Sequence, residues 1–222
     1  VKYIYGQGHR KIAYIHGQQA SYVTKDRLAS FYRTVDELGL KIPDEYIRTA
    51  DYLETREAAK QTKELLNLED PPTCIIYPDD TSLIGGRNVI IEMGLRIPQD
   101  ISIAGYDGTR MSQLLHPQLT TIRQDTELIG SEAAKRLIGS IEKPRTTLVE
   151  RVVIEGILVA GKSVGRIQKV VAAACGQHYC RDVCGGAAED SGLSAFKAAK
   201  QQKQWSKDHI LRRRVFYEEE NR

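Results

Sequence analysis

Apolar residues follow two alternating patterns along the first 160 residues of the chain. Short runs rich in β-branched residues are followed by longer segments in which apolar residues recur every three to four positions. The first such segment, residues 24–39, ends at Gly39 and has one apolar helix face, formed by Leu28, Phe31, Val35 and Leu38. The predicted strands are "KIAYIHG", "EYIRTA", "TCIIYP", "ISIAG" and "LTTIRQD", and the predicted helices include residues 24–39, 55–68, 79–94 and 126–141.

Strands that alternate with helices of this length indicate crossover connections and a parallel sheet. The predicted fold class is therefore α/β, with a doubly wound, mostly parallel sheet covered by helices on both faces. Thr55 and Asp80 are the residue types and positions expected of helix N-caps. Residues 147–161, "TLVERVVIEGILVAG", alternate well enough to predict a long strand or a hairpin.

The regular pattern ends near Gly165. Residues 166–222 are rich in Ala, Gly, Gln and Lys and contain no further strand-helix units. We therefore predict one domain over residues 1–165 and an unassigned tail over residues 166–222.

The composition favours a soluble globular protein that does not insert into a membrane. The net charge is +3, and the positive excess lies in the tail, so the near-neutral body offers no broad surface for DNA. No apolar run reaches the ~18 residues of a membrane-spanning helix. The first residues lack the apolar stretch of a signal peptide, so a cytoplasmic location is expected.

Acidic residues end two of the predicted strands. "TCIIYPDD" ends in Asp79 and Asp80, and "ISIAGYDG" ends in Asp107 beside two glycines. Because parallel strands share one carboxyl edge, where α/β sheets bind ligands, these acids are candidates for ligand contact. Helix capping is the favoured alternative for Asp80, and turn formation is an equal alternative for Asp79 and Asp107.

Several motifs together resemble the lactose and galactose repressor (LacI/GalR) family. They are "GHRKIAYIHG", "DRLASF", "PTCIIYPDDTSLIGG", "GLRIPQDISIAGYDG", "HPQLTTIRQD" and "GSEAAKRLI", in the family's order and spacing. The resemblance covers residues 1 to about 165 and implies a periplasmic-binding-protein-like fold. It corresponds to the second half of the effector-binding core, with largely one complete subdomain and a remnant of the other.

The resemblance also assigns candidate effector contacts. It implies Arg27 as the arginine that holds effector hydroxyls, Asp79 and Asp107 as polar contacts in the cleft, and Gln124 as a contact near a crossover. Tyr52 falls where an aromatic ring often lies against the ligand, and Ser21 is a further candidate. Arginine and carboxylates suit paired hydrogen bonds to a sugar, and an aromatic ring suits its apolar face. Ordinary alternatives are an Arg27–Asp26 ion pair and core packing of Tyr52.

The implied partners are a sugar or sugar derivative and a second copy of the chain, with no cofactor. We expect contact with operator DNA to require a DNA-binding domain that is absent from this chain, because no recognition helix is present in it. In an intact regulator, effector binding would change the relative pose of two subdomains and so the spacing of two DNA-binding heads.

Other chemistries fit the sequence less well, and we predict no enzyme. "YDGT" lacks the first aspartate of the phosphatase pattern, since Gly105 occupies that place. Glycoside hydrolysis would need two carboxyl groups, one of them with a raised pKa. From the sequence, both strand ends are expected to be polar and open, and such surroundings do not raise the pKa of a carboxyl group. Cys175, His178, Cys180 and Cys184 do not have the usual paired spacing of zinc ligands, so no metal site is predicted.

The leading hypothesis is therefore the effector-binding and dimerisation part of a sugar-responsive, LacI-type transcription regulator. The second hypothesis is a sugar-binding protein of a transport system, which would share the fold and the polar cleft. The motifs "RIPQDISIAGYDG" and "LTTIRQD", which resemble those of the LacI/GalR family, favour the regulator.

Overall fold

The computed structural model describes residues 1–143 and 151–167. The chain divides into two units, Val1–Lys169 and Val170–Arg222, and the second lies outside the described residues. The elements of the first unit are α1 (Lys2–Gly6), β1 (Ile12–His16), α2 (Tyr22–Glu37), a 3-10 turn (Asp44–Tyr46), β2 (Ile47–Thr49), α3 (Thr55–Leu66), β3 (Cys74–Ile76), α4 (Asp80–Glu92), β4 (Ser102–Ala104), α5 (Arg110–Leu114), β5 (Thr121–Arg123), α6 (Thr126–Glu142) and β6 (Ile157–Val159).

The main sheet has four parallel strands in the order β2-β1-β3-β4. All five residues of the inner strand β1 are buried, as expected for a strand covered on both faces. β5 pairs with β6 in a separate antiparallel two-stranded sheet, and isolated parallel bridges from Ala104 to Thr120 and from Asp107 to Arg123 place this part of the chain beside the end of β4. The predicted α/β class with a mostly parallel sheet is confirmed.

Two apolar clusters cover the two faces of the sheet. Ala13, Ile15 and Ile75 face α3 and α4, whereas Ile12 and Tyr14 belong to the cluster that contains residues of α1 and α2. Alternate residues of each strand therefore enter different cores, which fixes the register of the strands. The carboxyl ends of β1, β2, β3 and β4 consequently meet at one edge.

The predicted helix face of α2 is largely confirmed. Phe31 and Val35 are each 4% exposed, and Leu28 packs against the same cluster from a partly buried position. The helix gives way to Gly39 at φ +62, a left-handed conformation that glycine adopts without strain. The periodicity of the sequence thus located both the helix and its end.

Two predicted helix caps are wrong by one position. The N-cap of α3 is Glu54, whose carboxylate accepts from the Arg56 N–H, and Thr55 is already the first helical residue. The N-cap of α4 is Asp79 rather than Asp80. The backbone of Asp79 is extended, at φ −157 and ψ 168, and its carboxylate accepts from the Ser82 N–H in the first turn of the helix.

The segment at 147–161 forms less regular structure than its alternation suggested. Within the described part of the segment, residues 151–161, the strand is limited to β6. Residues 147–150 lie outside the described part of the chain. Residues 168–222, which make up nearly all of the predicted tail, lie outside it as well. Among the described residues no helix is long and apolar enough to cross a membrane.

Candidate functional site

Asp79 lies at the carboxyl edge of the sheet, where its carboxylate accepts three hydrogen bonds from neighbouring residues of the chain. It is 1% exposed, and its carboxylate accepts from the Ser82 N–H at 2.7 Å, the Ser82 hydroxyl at 2.8 Å and the Leu53 N–H at 3.0 Å. The first two bonds cap α4, and the third holds the loop after β2. The geometry therefore gives Asp79 a supporting place beside the cleft, and its contact with an effector stays a prediction.

The Asp80 carboxylate forms hydrogen bonds with a different set of residues and links three parts of the fold. Asp80 is also 1% exposed, and its carboxylate accepts from the Thr109 N–H at 2.8 Å, the Thr109 hydroxyl at 3.2 Å and the Thr121 hydroxyl at 2.7 Å. These bonds tie the start of α4 to the loop after β4 and to β5. Consecutive carboxylates thus anchor the loops on either side of the strand end.

The loop after β4 holds Asp107 in an unusual backbone conformation. Asp107 has φ +98, and its N–H donates to the carbonyl of Ile122 at 2.9 Å, while the next residue, Gly108, has φ +67. A side chain at Gly108 would collide with Arg123 of β5. The Gly that follows Asp107 is therefore required by the close approach of β5, and the strained turn holds the Asp107 side chain at the sheet edge.

Gln124 is the direct partner of Asp107. Its Nε2 donates to Asp107 Oδ1 at 2.7 Å, and its backbone N–H donates to the Asp107 carbonyl at 3.2 Å. Burial raises the pKa of Asp107, whereas the bond from Gln124 and the charge of Arg27 lower it. The carboxylates of Asp79 and Asp80 add a smaller upward effect on the pKa of Asp107. The net result is a raised pKa, because burial outweighs the stabilising contacts.

Arg27 reaches the same edge from the first half of α2. Its guanidinium donates to the carbonyl of Pro78 at 3.0 Å and lies over the ring of Tyr106 at 3.7 Å. The Tyr52 ring is 5.8 Å away. The alternative of an ion pair with Asp26 does not hold, since Asp26 lies 3.8 Å from Arg151 instead.

Tyr52 and Ser21 lie on loops at this edge. The Tyr52 hydroxyl shares a hydrogen bond of 2.9 Å with Thr24 of α2, and its half-buried ring packs so closely on Gly17 that any side chain there would collide with it. Ser21 is the N-cap residue of α2, with no capping bond from its side chain. The structure thus brings Arg27 and Tyr52 close together and pairs Asp107 with Gln124, whereas Ser21 forms no hydrogen bond with the other candidates in the described part of the chain.

A cavity of about 500 Å³ lies along the α1–α2 face of the sheet. Its lining is mostly apolar, and Arg27 is the one predicted site residue that takes part in it. Tyr106 and Pro78 line it beside Arg27. The other predicted effector contacts therefore lie at the sheet edge outside this cavity. Among the predicted contacts, only Arg27 lines the cavity as well.

Tyr106 is the site residue that the sequence reasoning missed. It directly precedes Asp107 in "GYDG", at the end of a strand whose other residues are small or β-branched. An aromatic ring at such a strand end was the available signal. Its partner could not be read from the sequence, because Arg27 is remote in the chain.

Comparison with known proteins gives the family. The periplasmic binding protein-like domain matches residues 1–164. This chain belongs to that family. The repressor PurR of Aliivibrio salmonicida is 34% identical over 141 residues, covering 64% of the chain and 42% of the relative. This periplasmic binding protein-like chain therefore spans about half or less of the length of the curated relatives it matches.

Solved structures agree with this family member's fold. The complex of the transcriptional regulator CelR with cellobiose is 26% identical, has a TM-score of 0.68, and is matched over 73% of this chain and 49% of its own. The lac repressor dimer bound to operator and the anti-inducer ONPF is 28% identical, with a TM-score of 0.66 over 74% of this chain and 48% of its own. The predicted resemblance to the LacI/GalR effector-binding core is confirmed.

Among the described residues no group of three or more His, Cys, Asp and Glu side chains is placed to hold a metal ion. The cysteines and histidine at positions 175, 178, 180 and 184 lie outside those residues. Cys74, in β3, is a fully buried thiol whose pKa burial raises to about 12, so it is not a reactive thiolate.

Proposed function

We propose that this chain is the effector-binding and dimerisation part of a LacI-type transcription regulator. The observation that carries the proposal is the placement of Arg27 and the Asp107–Gln124 pair at one edge of the sheet. The relatives and structural neighbours, which are named as transcriptional repressors and regulators, support it. Such a regulator acts in the cytoplasm, where it reaches DNA.

The effector we propose is a sugar or sugar derivative. A guanidinium supplies donors and an ionised carboxylate supplies acceptors, so the pair suits a neutral ligand that carries many hydroxyl groups. Tyr52 lies close enough to Arg27 to cover an apolar ring face. A structural neighbour is a complex with cellobiose, which supports this ligand class. Gln124 orients Asp107, and Asp79 holds the Tyr52 loop through Leu53.

A homodimer is part of the same proposal. Met111 is 59% exposed and Leu114 is 77% exposed on the short helix α5, which leaves apolar surface for a second copy. One neighbour is a repressor dimer bound to its operator. Effector binding would shift the pose of two subdomains and thereby the spacing of two DNA-binding heads, with DNA contacted through a domain other than the one described.

Calorimetry tests the ligand class. The full-length product of the reading frame is titrated with cellobiose, galactose, ribose and glucose 6-phosphate, and we expect saturable binding of at least one. The Arg27→Ala variant should then lose at least tenfold in affinity, since a hydrogen bond to a charged group contributes about 1.5–3 kcal/mol. Binding of none of the four, or unchanged binding by Arg27→Ala, would contradict the proposal.

A sugar-binding protein of a transport system is the second candidate, because it would share the fold and the polar edge. The reading frame upstream of Val1 separates the two. A helix-turn-helix segment there supports the regulator, and a signal peptide supports the transport protein.

A further inference from the structure

The guanidinium of Arg27 has two close contacts, and they differ in kind. One N–H donates to the carbonyl of Pro78 at 3.0 Å, and the central carbon, Cζ, lies over the Tyr106 ring, 3.7 Å from its centroid. Attraction between a cation and an aromatic face extends to about 6 Å. Tyr106 therefore lies well within this range, whereas Tyr52, at 5.8 Å, lies at its limit.

Hydrogen bonds hold the backbone around Tyr106 on both sides. The Tyr106 carbonyl accepts from the Asp80 N–H at 2.8 Å. The N–H groups of Gly105 and Asp107 donate to the carbonyls of Thr120 and Ile122, each at 2.9 Å. The Tyr106 ring is therefore attached to a backbone segment that hydrogen bonds hold in place.

Arg27, by contrast, projects from a helix on a long side chain with several rotatable bonds. Holding such a side chain in one rotamer costs conformational entropy, so a fixed guanidinium needs compensating contacts. A guanidinium carries five N–H donors, and the contact with Pro78 uses one of them. An aromatic ring stacked on the face of the guanidinium uses none of these N–H donors. Stacking thus orders the group and leaves its donors free for a ligand.

We propose that Tyr106 is the positioning residue for Arg27. Its ring and the Pro78 carbonyl fix the guanidinium beside Asp107, so that "GYDG" supplies both the acidic contact and the surface that orders the basic one. This inference rests on the proposed function in one respect, because the value of the ordering lies in effector binding at Arg27. The stacking itself is testable without an effector.

The chain offers a matched control for the stack. Arg10 lies over the ring of Tyr5 at the same distance, 3.7 Å, and also donates to the carbonyls of Tyr5 and His9. This second pair precedes β1 and therefore lies at the opposite end of that strand from the proposed site. Tyr5→Leu removes an equivalent stack without touching Arg27.

The first experiment measures arginine side-chain NMR signals of the 222-residue chain without added ligand. In the unaltered chain and in Tyr106→Phe, the Arg27 Nε–H signal should show the upfield ring-current shift and slow rotation of an ordered guanidinium. Tyr106→Leu should lose both, whereas Tyr5→Leu should change only the Arg10 signal. An Arg27 signal that is the same in Tyr106→Leu as in the unaltered chain would overturn the proposal. Unchanged backbone amide shifts in β3 would show that the variants are folded.

The second experiment is a double-mutant cycle on effector affinity, with whichever sugar of the panel above binds most tightly to the full-length product. Tyr106→Leu should weaken binding roughly 3- to 30-fold, and Tyr106→Phe should stay within about twofold. In the Arg27→Ala background, Tyr106→Leu should cause no further loss.

The outcomes of the cycle are distinguishable. A loss from Tyr106→Leu that persists in the Arg27→Ala background would mean that Tyr106 contacts the sugar itself, and would overturn the positioning role. No loss from Tyr106→Leu, with a loss from Arg27→Ala, would overturn it as well while the proposed function stands. Normal affinity in Arg27→Ala would instead refute the proposed site.

Discussion

Asp107 combines a strained backbone with a carboxylate of raised pKa. Its φ of +98 is rare for a residue with a side chain, and strain of this kind is found at functional sites more often than elsewhere. Burial raises its pKa although Gln124 and Arg27 both favour the charged form. The residue is therefore held in a conformation and a charge state that cost stability in the absence of a ligand.

This cost leads to a prediction for Asp107→Asn. Because the folded pKa is raised, the ionised carboxylate lowers the free energy of unfolding above that pKa, and this penalty shrinks as the pH falls below the folded pKa and is gone below the ordinary value of 3.8. Asparagine keeps an acceptor for Gln124 without the charge. The variant should therefore be as stable as the unaltered chain or slightly more stable at pH 7, with no gain at acidic pH, in urea unfolding followed across pH 4 to 8.

The same variant should lose at least tenfold in sugar affinity, because it removes charge-assisted hydrogen bonds of about 1.5–3 kcal/mol. Asp36→Asn, on the exposed face of α2, serves as the control and should change neither property. A large loss of stability together with normal sugar affinity in Asp107→Asn would show that this carboxylate is structural.

The sequence predicted that acidic residues lie at the sheet edge, but it did not predict which of them caps a helix and which bonds to distant residues. Asp79 and Asp80 are adjacent and chemically identical, and only the extended backbone at Asp79 decides which one caps α4. The partners of Asp80 include Thr121, 41 positions away. A cap depends on local torsion angles and a tertiary bond on the strand order, and neither follows from residue type.

At the scale of elements, long periodic segments were predicted well and short ones were missed. α2, α4 and α6 have the helical periods that the sequence displays. α1 and α5 have five residues each, too few to show a period, and they were not predicted. α6 forms as expected, yet none of its residues is buried within the described structure, and Leu137 and Ile141 are 62% and 71% exposed. Periodicity locates a helix but does not reveal what covers it.

The start of α4 should be more sensitive to substitution than the start of α6. Asp80→Asn weakens charged acceptors to Thr109 and Thr121, and we expect it to lower the free energy of unfolding by about 1.5–3 kcal/mol. Asp125→Asn makes the same chemical change at the exposed N-cap of α6, where asparagine caps about as well as aspartate. Urea unfolding should show a change below about 0.5 kcal/mol for Asp125→Asn. Equal effects at the two positions would refute the joining role of Asp80.

At the scale of the whole molecule, His9 ties together segments that are distant in the sequence. Its Nε2 donates to the carbonyl of Gly165 at 3.0 Å, and its Nδ1 lies 2.9 Å from the Thr73 hydroxyl. The neighbouring Gln7 carbonyl accepts from the Ile167 N–H at 2.8 Å. The ring thus fixes the returning chain after β6 against the start of β1 and β3.

Acid should loosen this connection. Burial lowers the pKa of His9 below its ordinary value of 6.5, so the unfolded chain binds the proton more readily. The contribution of His9 to stability is therefore full above pH 6.5 and is lost as the pH falls below that value toward the folded pKa. Urea unfolding at pH 7.5 and 5.5 should show a smaller decrease for His9→Asn than for the unaltered chain. An equal decrease in both would refute this assignment.

The central claim is that a small effector binds at the carboxyl edge of this sheet, between Arg27 and Asp107. Amide chemical-shift mapping during a titration with the tightest-binding sugar tests it most directly. We predict that the largest shifts fall in the loops after β1, β2 and β4 and at Gln124. Shifts confined to the opposite edge, around Tyr5, Arg10 and Thr73, would contradict the claim.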